Sequence, residues 1–206
     1  MLRANSPDAK DKRREVIILA ALDEFYQKGF AAARLEDIAL AAGVSKGSLY
    51  LYFSSKKDIF VAMIETLAFP VRARFEEFLK SSKSINDALH RYSEFAPSVI
   101  QEATIPKLLK VQIGDCHCFP SLVDSCRNQI VDPILVGIAE KMDMSPAEGR
   151  ILAQMIVAPF LSVSIWTVIF GTGTEVTLNI EALFDSHADF MAKGLSLQKS
   201  EAGENP

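Results

Sequence analysis

Apolar residues recur along this chain at intervals of three and four, and no stretch alternates apolar with polar positions between turn residues. The pattern predicts an all-α fold. A first helix is expected over about residues 12–28, burying Ile17, Ile18, Ala21, Leu22 and Phe25, with Gly29 ending it and Phe30 folding back. A short second helix covers 35–42, where Glu36 and Asp37 complement the helix dipole but Arg34 is a poor cap. Ser45 is placed to cap a third short helix over 46–53, and Ser55 with Asp58 forms a capping box for a fourth, which Pro70 is expected to bend or end. Further helices are expected from Ser84, from Thr104 and over about 121–142, this last one interrupted by Pro133. Two more start at Ser145 and at Asn179, ending at Gly171 and Gly194, and the tail from residue 198 is polar and expected to be flexible.

Composition narrows the class. With 206 residues and 49% hydrophobic letters the chain can bury a substantial core, and the segment before Val16 contains no apolar run of the kind a secretion signal needs. A cytoplasmic location is the expectation. Cys116, Cys118 and Cys126 have no framework spacing, which suits free thiols. The net charge of −4 hides an asymmetry: the first 60 residues hold ten Lys/Arg against eight acids, and residues 38–57 contain three lysines and no acid. Such a surface can meet a polyanion without local repulsion.

The stretch "GVSKG" (43–47) admits two opposed readings. As G-x-S-x-G it matches the nucleophile elbow of serine hydrolases, which requires a buried strand leading into the serine. Here an alanine-rich helical segment precedes Ser45, and His90, His117 and His187 sit in helical patterns without an oxyanion segment, so no catalytic residue is expected. As the turn of a helix-turn-helix every position has a use. Ala39 is small where the helices cross, Gly43 allows the tight turn, and Val44, Leu49 and Phe53 fill the inside. Gly47, Ser48 and Leu51 then face outward, flanked by Lys46, Tyr50 and Tyr52. A glycine inside so short a helix costs roughly 1 kcal/mol relative to alanine, and close approach to base edges accounts for that cost.

These residues resemble a family. "RREVIILAALDEFYQKGF" followed by "LEDIALAAGVSKGSLYLYFSSKKDIF" is similar to the N-terminal domain of tetracycline-repressor (TetR-type) transcriptional regulators, over about residues 13–64. The resemblance implies an N-terminal three-helix DNA-binding domain with a helix-turn-helix, followed by a larger helical ligand-binding and dimerisation domain (about nine helices). It implies that Ser45, Lys46, Gly47, Ser48, Tyr50, Tyr52 and Lys56 face DNA, with Lys56 on a phosphate. Two positions depart from the family pattern: Arg34 stands where a threonine commonly caps the second helix and touches phosphate, and Leu51 where an aromatic or basic residue is frequent. Both are kept as candidate DNA contacts. The domains expected are 1–58 for DNA binding, 59–197 for ligand binding and dimerisation, and 198–206 as the tail.

Residues 151–170 carry no charge over twenty positions, enough to span a membrane by length. Gln154, Pro159, Ser162, Ser164 and Thr167 within the run, and its capping box, favour a dimer helix. In the resembled family the last two long helices pair with their copies in a second subunit. The interface residues expected are Ile151, Met155, Phe160, Ile165 and Ile169 on one helix and Leu183, Phe184 and Phe190 on the next. A homodimer on a palindromic double-stranded operator follows, with a small hydrophobic inducer and no membrane partner. Phe69, Phe75, Phe78, Phe95, Phe119 and Trp166 are the candidate cavity residues. An alternative reading lets Cys116, Cys118 and Cys126 sense a metal or the redox state, but consecutive helical positions in "DCHC" diverge, so no metal site or cofactor is expected.

Overall fold

The computed structural model describes residues 7–115, 120–142, 145–170 and 179–203. Helices run in the order α1 (Pro7–Ala32), α2 (Leu35–Ala41), α3 (Lys46–Tyr50), α4 (Lys56–Ser81), α5 (Ile85–Gln101), α6 (Thr104–Asp115) and α7 (Pro120–Cys126). A π-helical turn, Arg127–Val131, leads into α8 (Asp132–Ala139), then α9 (Pro146–Phe170) and α10 (Ile180–Gly203). No strand occurs among the described residues, and the all-α expectation holds.

The chain divides into two compact units, one formed by residues 1–70 and 107–126, the other by 71–106 and 127–206. In the first, the apolar stripe of α1 is buried as its spacing requires: Ile17, Ile18, Ala21, Leu22 and Phe25 are all 2% exposed or less. Gly29 leaves helical geometry at φ 77 and ψ 156, which only glycine adopts freely, and Phe30 turns back onto the core. Its ring meets those of Phe25 and Phe60 at 5.1 and 5.7 Å between centroids. α3 is shorter than its periodicity suggests. Beyond Tyr50 the chain tightens into turns (Leu51 N to Ser48 O, 3.2 Å; Tyr52 N to Leu49 O, 2.9 Å), delivering Phe53 to the core before α4 starts. That start is the expected box, with Asp58 N donating to Ser55 Oγ at 3.2 Å and the Asp58 carboxylate accepting from Ser54 N.

Of three proline and glycine signals, two play out differently from expectation. α4 continues through Pro70 to Ser81, because apolar residues on both sides of it, Met63 and Ile64 before and Phe75 and Phe78 after, are buried and hold the helix against the lost bond. Pro133 does interrupt the helix that contains it. Lacking an N–H, it offers nothing to the carbonyl of Gln129 four residues back, and Arg72 donates to that carbonyl instead, beside the π turn. α10 runs through Gly194, since Met191 and Leu195 on either side are packed into the core.

The second unit is built on α5, α8, α9 and α10. Ile85, Leu89, Tyr92, Ala96 and Ile100 of α5 join Ile138 of α8, Ile156 and Val163 of α9 and Phe184 and Ala188 of α10 in one cluster with Phe75 and Phe78. Ser84 caps α5 by accepting from Asp87 N at 3.2 Å. Ser145 caps α9 in the expected way, accepting from Glu148 N at 3.4 Å while donating to its carboxylate at 2.5 Å.

Candidate nucleic-acid interface

Backbone geometry fixes how α2 and α3 meet. Ala39 is 2% exposed at their crossing, Gly43 adopts φ 65 in the turn, and Val44 N donates to Ala39 O at 2.9 Å. Arg34 is the extended residue before α2 and makes no side-chain cap bond there, as its chemistry requires. Ser45 caps α3, accepting from Ser48 N at 3.0 Å, with its hydroxyl 2.8 Å from that of Ser48. A helix precedes it, so Ser45 is a cap and not an elbow nucleophile.

The faces of α3 separate as the 100° periodicity demands. Leu49 and Phe53 are inside at 0% and 4% exposure, whereas Ser45, Lys46, Gly47, Tyr50 and Leu51 are exposed, and Ser48 and Tyr52 half-buried. Leu51 is 80% exposed, an unusual position for leucine unless something covers it. A Cβ built on Gly47 would find only Ser45 Oγ, at 3.9 Å, so the fold itself leaves room for a side chain there.

Two features of this surface had no local signal in the sequence. Lys46 pairs with Glu36, ten residues earlier on α2; the bond lowers the Glu36 carboxyl below its ordinary pKa and raises that of the Lys46 ammonium. Lys56 is half-buried and turned inward: its ammonium donates to the carbonyls of Phe30 (2.7 Å), Ala31 (3.1 Å) and Ala33 (2.8 Å) and stands 4.8 Å from the centre of the Phe30 ring. Only the tertiary fold brings the end of α1 beneath the start of α4.

Residues 17–63 match the model of "Bacterial regulatory proteins, tetR family". The N-terminal domain belongs to the tetR family. Among curated relatives, the TetR-type match is 44% identical over 57 residues to the uncharacterized HTH-type transcriptional regulator YfiR of Bacillus subtilis, covering 28% of each chain. It is 40% identical over 74 residues to the HTH-type transcriptional regulator RutR of Escherichia coli K12, covering 34% of this chain and 35% of RutR. The chain thus spans about a third of the length of these relatives. In structure it resembles FadR of Bacillus subtilis, solved in complex with stearoyl-CoA, with a TM-score of 0.65 and 20% identity over 86% of this chain and 96% of FadR. That likeness shows a shared fold that extends through the second unit.

In that second unit Phe75 and Phe78 are buried and stack edge-on at 4.6 Å, and Phe95 lies 5.3 Å from Phe78. With Leu79, Ile85, Ala88, Leu89, Tyr92, Ile138 and Ile156, the two phenylalanines line an apolar cavity of about 10 Å³, room for one water centre. Phe69 is half-buried in the first unit, Trp166 is 43% exposed beside Phe170, and Phe119 lies outside the described residues. Of the expected interface residues, Ile151, Met155, Ile165, Ile169 and Phe190 are exposed, while Phe160 and Leu183 are half-buried against the core. Phe184 is corrected: it is 0% exposed with its ring 5.7 Å from Tyr92, so it belongs to the interior of the second unit. Cys126 is half-buried, accepts from Gln112 Nε2 at 3.1 Å and has its thiol pKa raised by burial, which opposes thiolate reactivity. Cys116 and Cys118 lie outside the described residues, and no metal-binding group of three side chains occurs among the described ones.

Proposed function

We propose that the chain is a cytoplasmic DNA-binding transcriptional repressor that grips a palindromic operator as a homodimer and is released by a small hydrophobic inducer. The observation carrying the DNA-binding reading is Gly47. It occupies an exposed helical position with room for a Cβ, so glycine there lowers helix stability by about 1 kcal/mol with no return inside the fold. A duplex lying against that face supplies the reason. Ser48 and, once released from its exposed pair with Glu36, Lys46 offer donors to base edges, Leu51 an apolar contact for a thymine methyl, and Tyr50 and Tyr52 hydroxyls for phosphate oxygens. Residues 1–58 act as the reading head, 59–197 as the ligand-binding and dimerisation part, and 198–206 as the tail.

The test is Gly47→Ala, measured on the duplex that the unsubstituted chain enriches from a random-sequence pool. The melting temperature should rise while duplex affinity falls at least about tenfold, which is 1.4 kcal/mol. Unchanged affinity overturns the reading.

Dimerisation is supported by the stripe of exposed large apolar residues on α9, Ile151, Met155, Ile165, Ile169 and Phe170, joined by Phe190 of α10. The same helix is long and apolar enough to cross a membrane. Its polar start at Ser145 and Glu148, and its packing with α5, α8 and α10, favour a protein partner. An apolar inducer is the reading suggested by the wholly apolar lining around Phe75 and Phe78, whose cavity has room for one water centre and would have to widen to admit a larger ligand. Such a ligand shifts operator occupancy only as far as it prefers the non-binding conformation.

A further inference from the structure

Five cations occur between residues 28 and 57, and the structure uses three of them internally. Lys28 is paired with Glu24 and Asp37, and Lys46 with Glu36. Lys56 has a full complement of acceptors: an ammonium offers three protons, and three carbonyls at the end of α1 take them. These carbonyls lie at the last turn of α1, beyond the kink at Gly29, where a cation can accompany terminal acceptors and offset the negative end of the helix dipole. For Lys56 to reach a phosphate it would have to abandon all three. Arg34 and Lys57 are the remaining two. Both are exposed, and neither side chain makes a hydrogen bond or ion pair among the described residues.

We propose that Lys57, with Arg34, anchors the phosphate backbone beside α3, and that Lys56 is a positioning residue that fastens the first turn of α4 to the end of α1. The proposal rests on the DNA-binding reading above for Lys57, and on the fold alone for Lys56. It divides between two adjacent lysines what the family resemblance assigns to Lys56.

The two roles leave different signatures in the full chain. Binding is read by fluorescence anisotropy on a mixed-sequence duplex between about 50 and 200 mM salt, where each phosphate contact contributes roughly 0.9 to the slope of log affinity against log salt. Lys57→Gln should flatten that slope by about one contact per chain and leave the melting temperature unchanged. Lys56→Met should lower the melting temperature by roughly 5 °C and leave the slope intact, measured well below the transition. Lys56→Arg keeps the charge but replaces three fanned donors with a planar fork, so it should also lower the melting temperature without touching the slope. A slope unaffected by Lys57→Gln, or one flattened by Lys56→Met at unchanged melting temperature, overturns the proposal. If the unsubstituted chain shows no salt-dependent capture, the DNA-binding reading falls and takes the role of Lys57 with it. The melting temperatures of the two Lys56 variants still decide whether the clip exists.

Discussion

The two units differ in how completely their buried polar groups are satisfied. In the first, polar groups are matched at or near the surface: the buried Glu24 Oε2 sits 2.6 Å from Lys28, Lys56 satisfies three carbonyls, and Lys46 meets Glu36. In the second, Tyr92 Oη, Ser164 Oγ and His187 Nε2 are buried without partners, each on one of the helices α5, α9 and α10 that make up the core. A buried hydroxyl left unpaired costs about 1–3 kcal/mol. The second unit thus retains more groups that a ligand or a rearrangement would satisfy.

The severest way to test that contrast is to remove the centre of the second core. Phe184 is fully buried and touches Tyr92, so Phe184→Ala is expected to destabilise by about 3–5 kcal/mol. Calorimetry reads the loss. A drop under about 1 kcal/mol would mean that this core is already loose, whatever its burial suggests.

A smaller effect concerns the surface of the same unit. On the proposed dimer, Ile169→Glu places a charge at the centre of an apolar contact and should weaken association by about 2 kcal/mol or more, with the monomer left folded because Ile169 is 62% exposed. Sedimentation equilibrium distinguishes the outcomes, and an unchanged mass distribution removes α9 from the interface.

The difference between the units also explains what could be read from the sequence. In the first unit, Gly29, Gly43, Ser45 and the Ser55 to Asp58 box are local devices whose chemistry dictates backbone shape, and each does in the structure what its letter requires. What escaped was tertiary: Lys56 looks like any solvated lysine until the end of α1 is brought beneath it. In the second unit the apolar stripes predict helices but not which side of a helix faces which neighbour. Phe184 and Phe190 are both large and aromatic on one helix, yet one is sealed and the other is 72% exposed. Similarly, Pro70 and Gly194 carry strong local signals that packing on either side overrides.

Tyr92 sharpens the comparison at the level of one atom. Its hydroxyl has no partner and burial raises its pKa far above the ordinary value, so it stays neutral and unpaired. Tyr92→Phe deletes the oxygen and keeps the ring contacts with Phe75 and Phe184. The substitution should stabilise the chain by about 1 kcal/mol. In the proposed regulator it should also blunt the response to any inducer whose hydrogen-bonding group the hydroxyl receives. A loss of stability on deletion would show instead that the hydroxyl has a bound partner in solution.

The smallest effect is a pH dependence. Burial lowers the pKa of His187 below its ordinary value of 6.5, while the carbonyls of Ile156 and Met155 pull the other way with less weight. A base whose pKa is lower in the fold takes up its proton first in the unfolded chain. Its neutral form therefore supports the fold above about pH 6.5, and that support is lost as pH falls towards the folded value. Melting temperature measured from about pH 7.5 down to 5.5 should fall more steeply for the unsubstituted chain than for His187→Gln, which has no proton to gain. Parallel curves would show that the α9 carbonyls compensate burial fully, and would move His187 from the unmatched groups of the second unit to the matched ones.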